Sequence, residues 1–290
     1  MRSGFVSVVG RPNVGKSTLV NALGGSMVAI TATRPQTTRN TIRGVLSADG
    51  LQVVLVDTPG LHRPRTALGE RLNRLVEGSL AESDAVLFVL DATQRIGPGD
   101  RLIAGRLAGA GTPVVVACNK TDAASHRRVG EQLAEAGEWG MAAYVPVSAL
   151  QAENLGPLVE EIAALLPEGP AYFPPGMVTD QPEELWLAEV IREKFLARLS
   201  QELPHSLAVV VDEVEEQGGG VVRVGARLVV ERESQKGIVI GRAGEMLGAA
   251  GSEARAEIET RLGTRVFLDL RVRVEKDWQQ RPGMIERLGL

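Results

Sequence analysis

Gly10-Arg11-Pro12-Asn13-Val14-Gly15-Lys16-Ser17 decides the reading of this chain. It fits the pattern G-x-x-x-x-G-K-[ST], which arises by chance in a chain of this length on the order of 1% of the time. Its setting sharpens it. The apolar run Phe5–Val9 precedes it and the helical pattern Lys16–Leu23 follows, so the loop joins a strand to a helix. Glycines let the backbone wrap a phosphate, and amides at the helix start point inward, where the helix dipole favours negative charge. Gly10, Asn13, Val14, Gly15, Lys16, Ser17 and Thr18 are the phosphate-binding candidates. Lys16 would reach the β- and γ-phosphates, and Ser17 would ligate magnesium. The bland alternative is a glycine turn with a solvated lysine.

Working outward, Asp57-Thr58-Pro59-Gly60 closes the Leu51–Val56 run. Asp57 would hold magnesium through water, and Gly60 offers an N–H to a γ-phosphate and a pivot that responds to its loss. Alone this is a common turn. Asn119-Lys120-Thr121-Asp122 closes the Pro113–Cys118 run. Guanine donates from N1 and its 2-amino group, and a carboxylate at Asp122 accepts both; adenine lacks that pair. Two charged hydrogen bonds discriminate roughly 10²–10⁴-fold. The stem of Lys120 packs along a base, and Ser148-Ala149, after the Ala143–Val147 run, offers amides to the guanine O6. A kinase or nucleotide-using ligase is the competing enzyme class, and Asn119 with Asp122 argues against it.

Valine-rich runs without alternation suit strands buried on both faces. They alternate with helical patterns near Leu68–Leu80, Asp100–Ala110, Arg127–Glu138 and Asn154–Leu166, which predicts an α/β fold with a doubly wound, mostly parallel sheet. Thr41–Ala48 and Leu51–Val56, joined by Asp49-Gly50, predict one antiparallel strand. Five of the fifteen prolines fall between Pro167 and Pro182, an extended linker. The expected organisation is residues 1–166, a linker at 167–182, and a second domain at 183–290. That domain reads as a helix over Glu184–Glu202, strands Leu207–Val214 and Val221–Val230, a turn, a helix Ser252–Leu262 and a strand Val266–Val274. The 290 residues suit two domains. A single cysteine, Cys118, excludes a disulfide framework and any multi-cysteine zinc site, and three scattered histidines argue against a histidine-rich metal site. There is no secretion signal and no apolar run near ~18 residues, so a cytoplasmic protein is expected.

Together, the four nucleotide motifs of residues 1–166 resemble the GTPase family. The resemblance implies GTP hydrolysis to GDP and phosphate, with Mg2+, and places a first switch at Thr37-Thr38-Arg39. Thr38 is favoured over Thr37 as magnesium ligand, giving Ser17, Thr38 and Asp57 as the metal set. Asn119, Lys120, Asp122, Ser148 and Ala149 form the guanine set. Lys16, Thr38, Gly60 and Asn13 are assigned to catalysis. Leu61 stands where many GTPases carry glutamine, and leucine cannot orient water by hydrogen bonding, so slow intrinsic hydrolysis is expected. Asn13 resembles the equivalent position in potassium-using bacterial GTPases, making K+ a candidate cation. His62 and Arg39 are weaker alternatives as base and internal finger.

Ile240-Gly241-Arg242-Ala243-Gly244, within the α-β-β-α-β order, resembles the backbone-clamping loop of a type II KH (K-homology) domain. Lys236, Ile240, Gly241, Arg242, Ala243 and Gly244 are the RNA-binding candidates. Ala243 departs from the basic residue usual there, and 183–290 carries 16 Lys and Arg against 19 Asp and Glu. Lys236, Arg242, Arg255, Arg271 and Arg273 nevertheless flank the loop or its adjoining elements. Over nearly its full length the chain resembles bacterial ribosome-associated GTPases with a C-terminal KH domain. That resemblance implies a monomer binding the 3′ end of small-subunit ribosomal RNA and assisting 30S maturation, with GTP setting the placement of the domains. It also implies peripheral association with the inner face of the cell membrane, although no basic amphipathic anchor is visible. A GTPase whose second domain docks a protein or membrane surface is the alternative.

Overall fold

A computed structural model describes residues 1–25, 28–29, 38–61, 64, 66–199 and 203–290. Thr37 and His62, both weighed above, lie outside the described residues. The chain divides into two compact units, one holding most residues up to Asp180 and one built on Gln181–Leu290.

The first unit runs β1 (Arg2–Val9), α1 (Lys16–Gly24), β2 (Ile42–Ala48), β3 (Leu51–Asp57), α2 (Ala67–Ala81), β4 (Ala85–Asp91), α3 (Pro98–Ala108), β5 (Val114–Asn119), α4 (His126–Gly137), β6 (Ala143–Pro146) and α5 (Leu155–Leu165). The sheet order is β2-β3-β1-β4-β5-β6. β2 pairs antiparallel with β3, with Gly50 at φ 70° in the turn, and all other pairs are parallel. Every residue of β4 is buried, because successive side chains feed two cores. Ala85, Leu87 and Val89 pack with Leu19 and Val20 of α1 and Leu158 and Ile162 of α5. Val86, Phe88 and Leu90 pack with Val76 of α2, Ile103 and Leu107 of α3 and Ala136 of α4. Parallel strands then deliver their carboxyl ends to one edge, where the loops after β1, β3, β4, β5 and β6 gather.

The proline-rich stretch is extended but does not hang free. Ser3 N–H donates to Pro167 O at 3.1 Å, Gly169 N–H to Met1 O at 2.9 Å, and Val45 N–H to Val178 O at 2.9 Å. The amides of Tyr172 and Phe173 donate to Gln52 Oε1 at 2.7 and 3.0 Å, and Arg43 pairs with Asp180 at 2.6 Å. Proline cannot donate, but its carbonyls and the amides between prolines bond the strand ends beside them.

The second unit runs α6 (Glu183–Arg198), α7 (Leu203–Ser206), β7 (Ala208–Gln217), β8 (Val221–Val230), α8 (Glu233–Ile240), α9 (Glu245–Leu262), β9 (Arg265–Val274) and α10 (Pro282–Arg287). β7 and β8 are antiparallel, while β8 and β9 are parallel from Val221 opposite Arg265 to Val230 opposite Val274. Val190, Ile191 and Phe195 of α6, Leu228 of β8, and Ala250, Ala254 and Ile258 of α9 share one buried core. Helix α8 is absent from the sequence expectation. Its Gly237-Ile238-Val239-Ile240 segment reads as strand by composition, but Gln235 Oε1 caps the Glu231 and Arg232 amides at 2.8 and 3.2 Å and starts a helix. Helix α9 likewise begins at Glu245, seven residues before the expected Ser252, because Gly248 and Gly251 weaken its helical signal.

Candidate functional site

The phosphate loop is shaped by left-handed backbone. Asn13 has φ 66° and Gly15 φ 98°. A Cβ at Gly15 would fall on the side-chain amide of Asn119, so glycine lets this loop close onto the end of β5. Lys16 is buried, and its Nζ donates to Gly10 O and Arg11 O at 3.3 and 3.1 Å, crossing the loop. Burial pulls its ammonium down to about 8, against the upward pull of Asp57.

The three expected metal ligands come together. Ser17 Oγ donates to Asp57 Oδ2 at 2.7 Å, Thr38 Oγ1 donates to the same oxygen at 3.1 Å, and the two hydroxyls lie 3.1 Å apart. Two hydroxyls and a carboxylate are hard oxygen donors, the set a magnesium ion prefers. Thr58 Oγ1 donates to Val8 O at 2.7 Å, fixing the turn, and Gly60 abuts Pro12 of the phosphate loop. Leu61 is 8% exposed and packs with Val9, Val76 and Phe88, so the residue in the usual glutamine position is an anchor in the core. Arg39 is fully buried.

At the base side, Asn119 Nδ2 donates to Val14 O at 3.0 Å, and Lys120, at φ 69°, donates from Nζ to Asn13 O at 2.7 Å. These bonds fasten the Asn119–Asp122 turn to the phosphate loop. Asp122 is exposed, with Oδ1 accepting from Ser148 Oγ at 2.6 Å. The Ser148 amide donates to Glu153 O at 3.2 Å and the Ala149 amide to Asn119 Oδ1 at 3.0 Å, so both expected donors are engaged within the protein. Ser148 also contributes the hydroxyl that orients Asp122. Thr18 lies in the first turn of α1.

Asp91 was missed by the sequence reading. It ends β4 on the same sheet edge, 3% exposed, and its Oδ2 meets Lys120 Nζ at 2.7 Å. Burial pushes its carboxyl up, but hydrogen bonds from Lys120 and Thr93 outweigh that and hold it below the usual carboxylate range. The available signal was position: an acid closing a core strand, as Asp57 does.

In the second unit, Gly241 has φ 77°, Ala243 φ 52° and Gly244 φ 82°, so the loop between α8 and α9 is built from left-handed residues. A Cβ at Gly241 would lie 2.7 Å from Met246 N, which reserves that position for glycine. Arg242 and Ala243 are exposed, Lys236 and Ile240 partly buried. Ile238 on α8, also missed, is 52% exposed beside the loop. Arg255 lies exposed on α9, and Arg271 and Arg273 on β9, where Arg271 pairs with Asp269 at 2.9 Å.

The comparisons with known proteins match both units. Residues 5–120 match the family model described as 50S ribosome-binding GTPase, and residues 202–279 match the KH domain model. GTPase Era of Mycobacterium tuberculosis (strain ATCC 25618 / H37Rv) is 52% identical over 294 residues, covering 99% of this chain and 98% of that protein. The same identity and coverage hold for GTPase Era of Mycobacterium avium (strain 104). A crystal structure of Era in complex with MgGDPNP and nucleotides 1506–1542 of 16S ribosomal RNA superposes with a TM-score of 0.96 at 36% identity, covering 100% of this chain and 99% of that one. An Aquifex aeolicus Era variant bound to GDP·AlF4− gives the same TM-score, identity and coverage. With this match running from end to end of both units, the chain belongs to the Era family of GTPases.

Proposed function

We propose that this protein is a GTP-driven switch that hydrolyses GTP to GDP and phosphate and binds the 3′ end of small-subunit ribosomal RNA through its KH unit, assisting 30S maturation. The observation that carries the reading is the convergence of Ser17, Thr38 and Asp57 beside Lys16, with the Asn119–Asp122 turn bonded to the same loop. The likeness to the Era complex with MgGDPNP and 16S RNA supports both halves.

In this reading Gly10, Asn13, Val14, Gly15, Ser17 and Thr18 cradle the phosphates, and Lys16 turns from the loop carbonyls to the β- and γ-phosphates. Ser17 and Thr38 would hold the magnesium directly and Asp57 through water. The ion, when bound, neutralises charge building on the β- and γ-oxygens. Thr38 and Gly60 present amides to the γ-phosphate, and Asp122 reads the guanine edge. Asn13 provides for a potassium ion near the phosphates, in place of an arginine finger. Leu61, buried in the core, leaves the attacking water without a side-chain partner from that position, and intrinsic turnover is slow. Lys236, Ile240 and Gly241 to Gly244 clamp the RNA backbone. The protein acts as a monomer, in the cytoplasm or peripheral on the inner face of the cell membrane. Among the described residues no helix is long and apolar enough to cross a membrane.

Crosslinking of the GTP-loaded chain to total RNA tests the reading. Recovery of the 3′ end of small-subunit ribosomal RNA is the expected result. No RNA crosslinked through the second unit would favour a GTPase whose second unit docks a protein or membrane surface.

A further inference from the structure

Asp91 carries an arrangement that the nucleotide motifs do not use. Both oxygens of its buried carboxylate are committed. Oδ1 accepts from Thr93 N at 3.0 Å and Thr93 Oγ1 at 2.6 Å, while Oδ2 accepts from Lys120 Nζ at 2.7 Å and Gln94 Nε2 at 3.2 Å. Gln132 of α4 donates from Nε2 to Asp91 O at 2.9 Å and to Gln94 O at 3.2 Å, so the turn that bears the carboxylate is itself held. On the other side Lys120 Nζ also donates to Asn13 O at 2.7 Å. The lysine is therefore fixed at its tip by two acceptors and at its root by a left-handed backbone, φ 69°. The four-carbon stem between them lies over the phosphate loop, with Cε 3.9 Å from where a Gly15 Cβ would stand.

We infer that Asp91 is a positioning residue of the guanine-nucleotide site, holding the Lys120 stem taut as the apolar wall against which the base packs, without touching the nucleotide itself. The inference rests on the guanine-site reading of Asn119–Asp122 given above. Lysine is a flexible side chain that loses much rotamer freedom when it is ordered. Fixing the stem before the nucleotide arrives moves that cost out of the binding step. A methylene wall packs against any purine alike, so Asp91 contributes affinity, while the choice of guanine stays with Asp122.

Calorimetric titration of the full chain with GDP and with xanthosine diphosphate tests this in Asp91→Asn, Lys120→Met, the double variant and Asp122→Asn. Melting of each variant checks its fold. Asp91→Asn and Lys120→Met are each expected to weaken GDP binding roughly tenfold, the scale of one charged hydrogen bond, with the preference for GDP over xanthosine diphosphate unchanged. Since the two residues act through one contact, the double variant should bind no more weakly than either single variant. Losses that multiply would show independent roles and overturn the inference. Asp91→Glu, which keeps the charge should Asp91→Asn fold poorly, should recover much of the affinity; a glutamate variant no better than asparagine counts against it. Should Asp122→Asn shift preference toward xanthosine diphosphate while Asp91→Asn binds GDP like the parent chain, the positioning role fails and the guanine site stands. Should Asp122→Asn produce no shift, the site reading fails and this inference with it.

Discussion

Asp122 accepts from the Ser148 hydroxyl through one carboxylate oxygen and is exposed, so its orientation is set without any ligand. Replacing it with asparagine turns one acceptor into a donor. GTP affinity should then fall roughly 10²-fold or more, while xanthosine triphosphate, which carries an acceptor where guanine has its 2-amino group, partly recovers it. Competition binding of the two nucleotides measures the exchange. Ser148→Ala should give a milder loss in the same assay, because it removes the orienting bond and not the acceptor. Asp91 yields a pH dependence whose sign follows from its lowered carboxyl. In the acidic range the unfolded chain holds a proton that the folded one does not. The stability Asp91 contributes is therefore complete above about pH 4 and is lost as pH falls through its folded value. Urea unfolding of the parent and Asp91→Asn should show a stability gap that narrows on acidification. These residues also mark what the sequence made legible. Lys16, Ser17, Asp57 and Asn119 stand in short motifs where chemistry demands a particular residue at a particular spacing. Asp91 belongs to no such motif; its partner is 29 positions away, and only the parallel register of β4 with β5, Asp91 opposite Asn119, brings the two turns together.

At the scale of elements, the alternation of valine-rich runs with amphipathic helices made the first unit readable, since β3, β4 and β5 are buried on both faces and show it in composition. The second unit was less legible. Helix α8 hides in Gly237-Ile238-Val239-Ile240, whose local preference is for strand, and a cap from Gln235 decides otherwise. That helix matters because it brings Lys236 and Ile238 to the Gly241–Gly244 loop. Gly241→Asp puts a side chain where Met246 already stands and a negative charge where an RNA phosphate would approach. Binding of a single-stranded RNA of the 16S 3′-end sequence should be lost, with GTP affinity retained. Arg242→Glu reverses charge at an exposed position without crowding the backbone. It should weaken RNA binding and flatten its salt dependence, since one fewer phosphate contact releases fewer counterions. Filter binding at several salt concentrations reads both variants, and unchanged RNA affinity in both would remove the loop from the interface.

For the molecule as a whole, a switch is defined by coupling between its two sites, and coupling is reciprocal. If the GTP-bound chain holds RNA more tightly than the GDP-bound chain by some factor, RNA must raise the preference for GTP over GDP by that same factor. Typical coupling between sites spans ~5–150-fold. The expected outcome is therefore two equal ratios: RNA affinity measured with a non-hydrolysable GTP analogue against GDP, and analogue-to-GDP affinity measured with and without RNA. The GTP end should depend on Thr38 and Gly60, which the proposed function sets against the γ-phosphate. Thr38→Ala should leave GDP binding nearly intact yet bring both ratios close to one, because it removes the hydroxyl by which this segment would reach the magnesium, and with it what holds the Thr38 amide at the γ-phosphate. Gly241→Asp, which acts at the other end, should abolish the RNA-dependent ratio while leaving the intrinsic preference for the analogue over GDP unaltered. Ratios of one in the parent chain would mean two independent binding modules sharing a polypeptide, each with its own ligand and no switch between them.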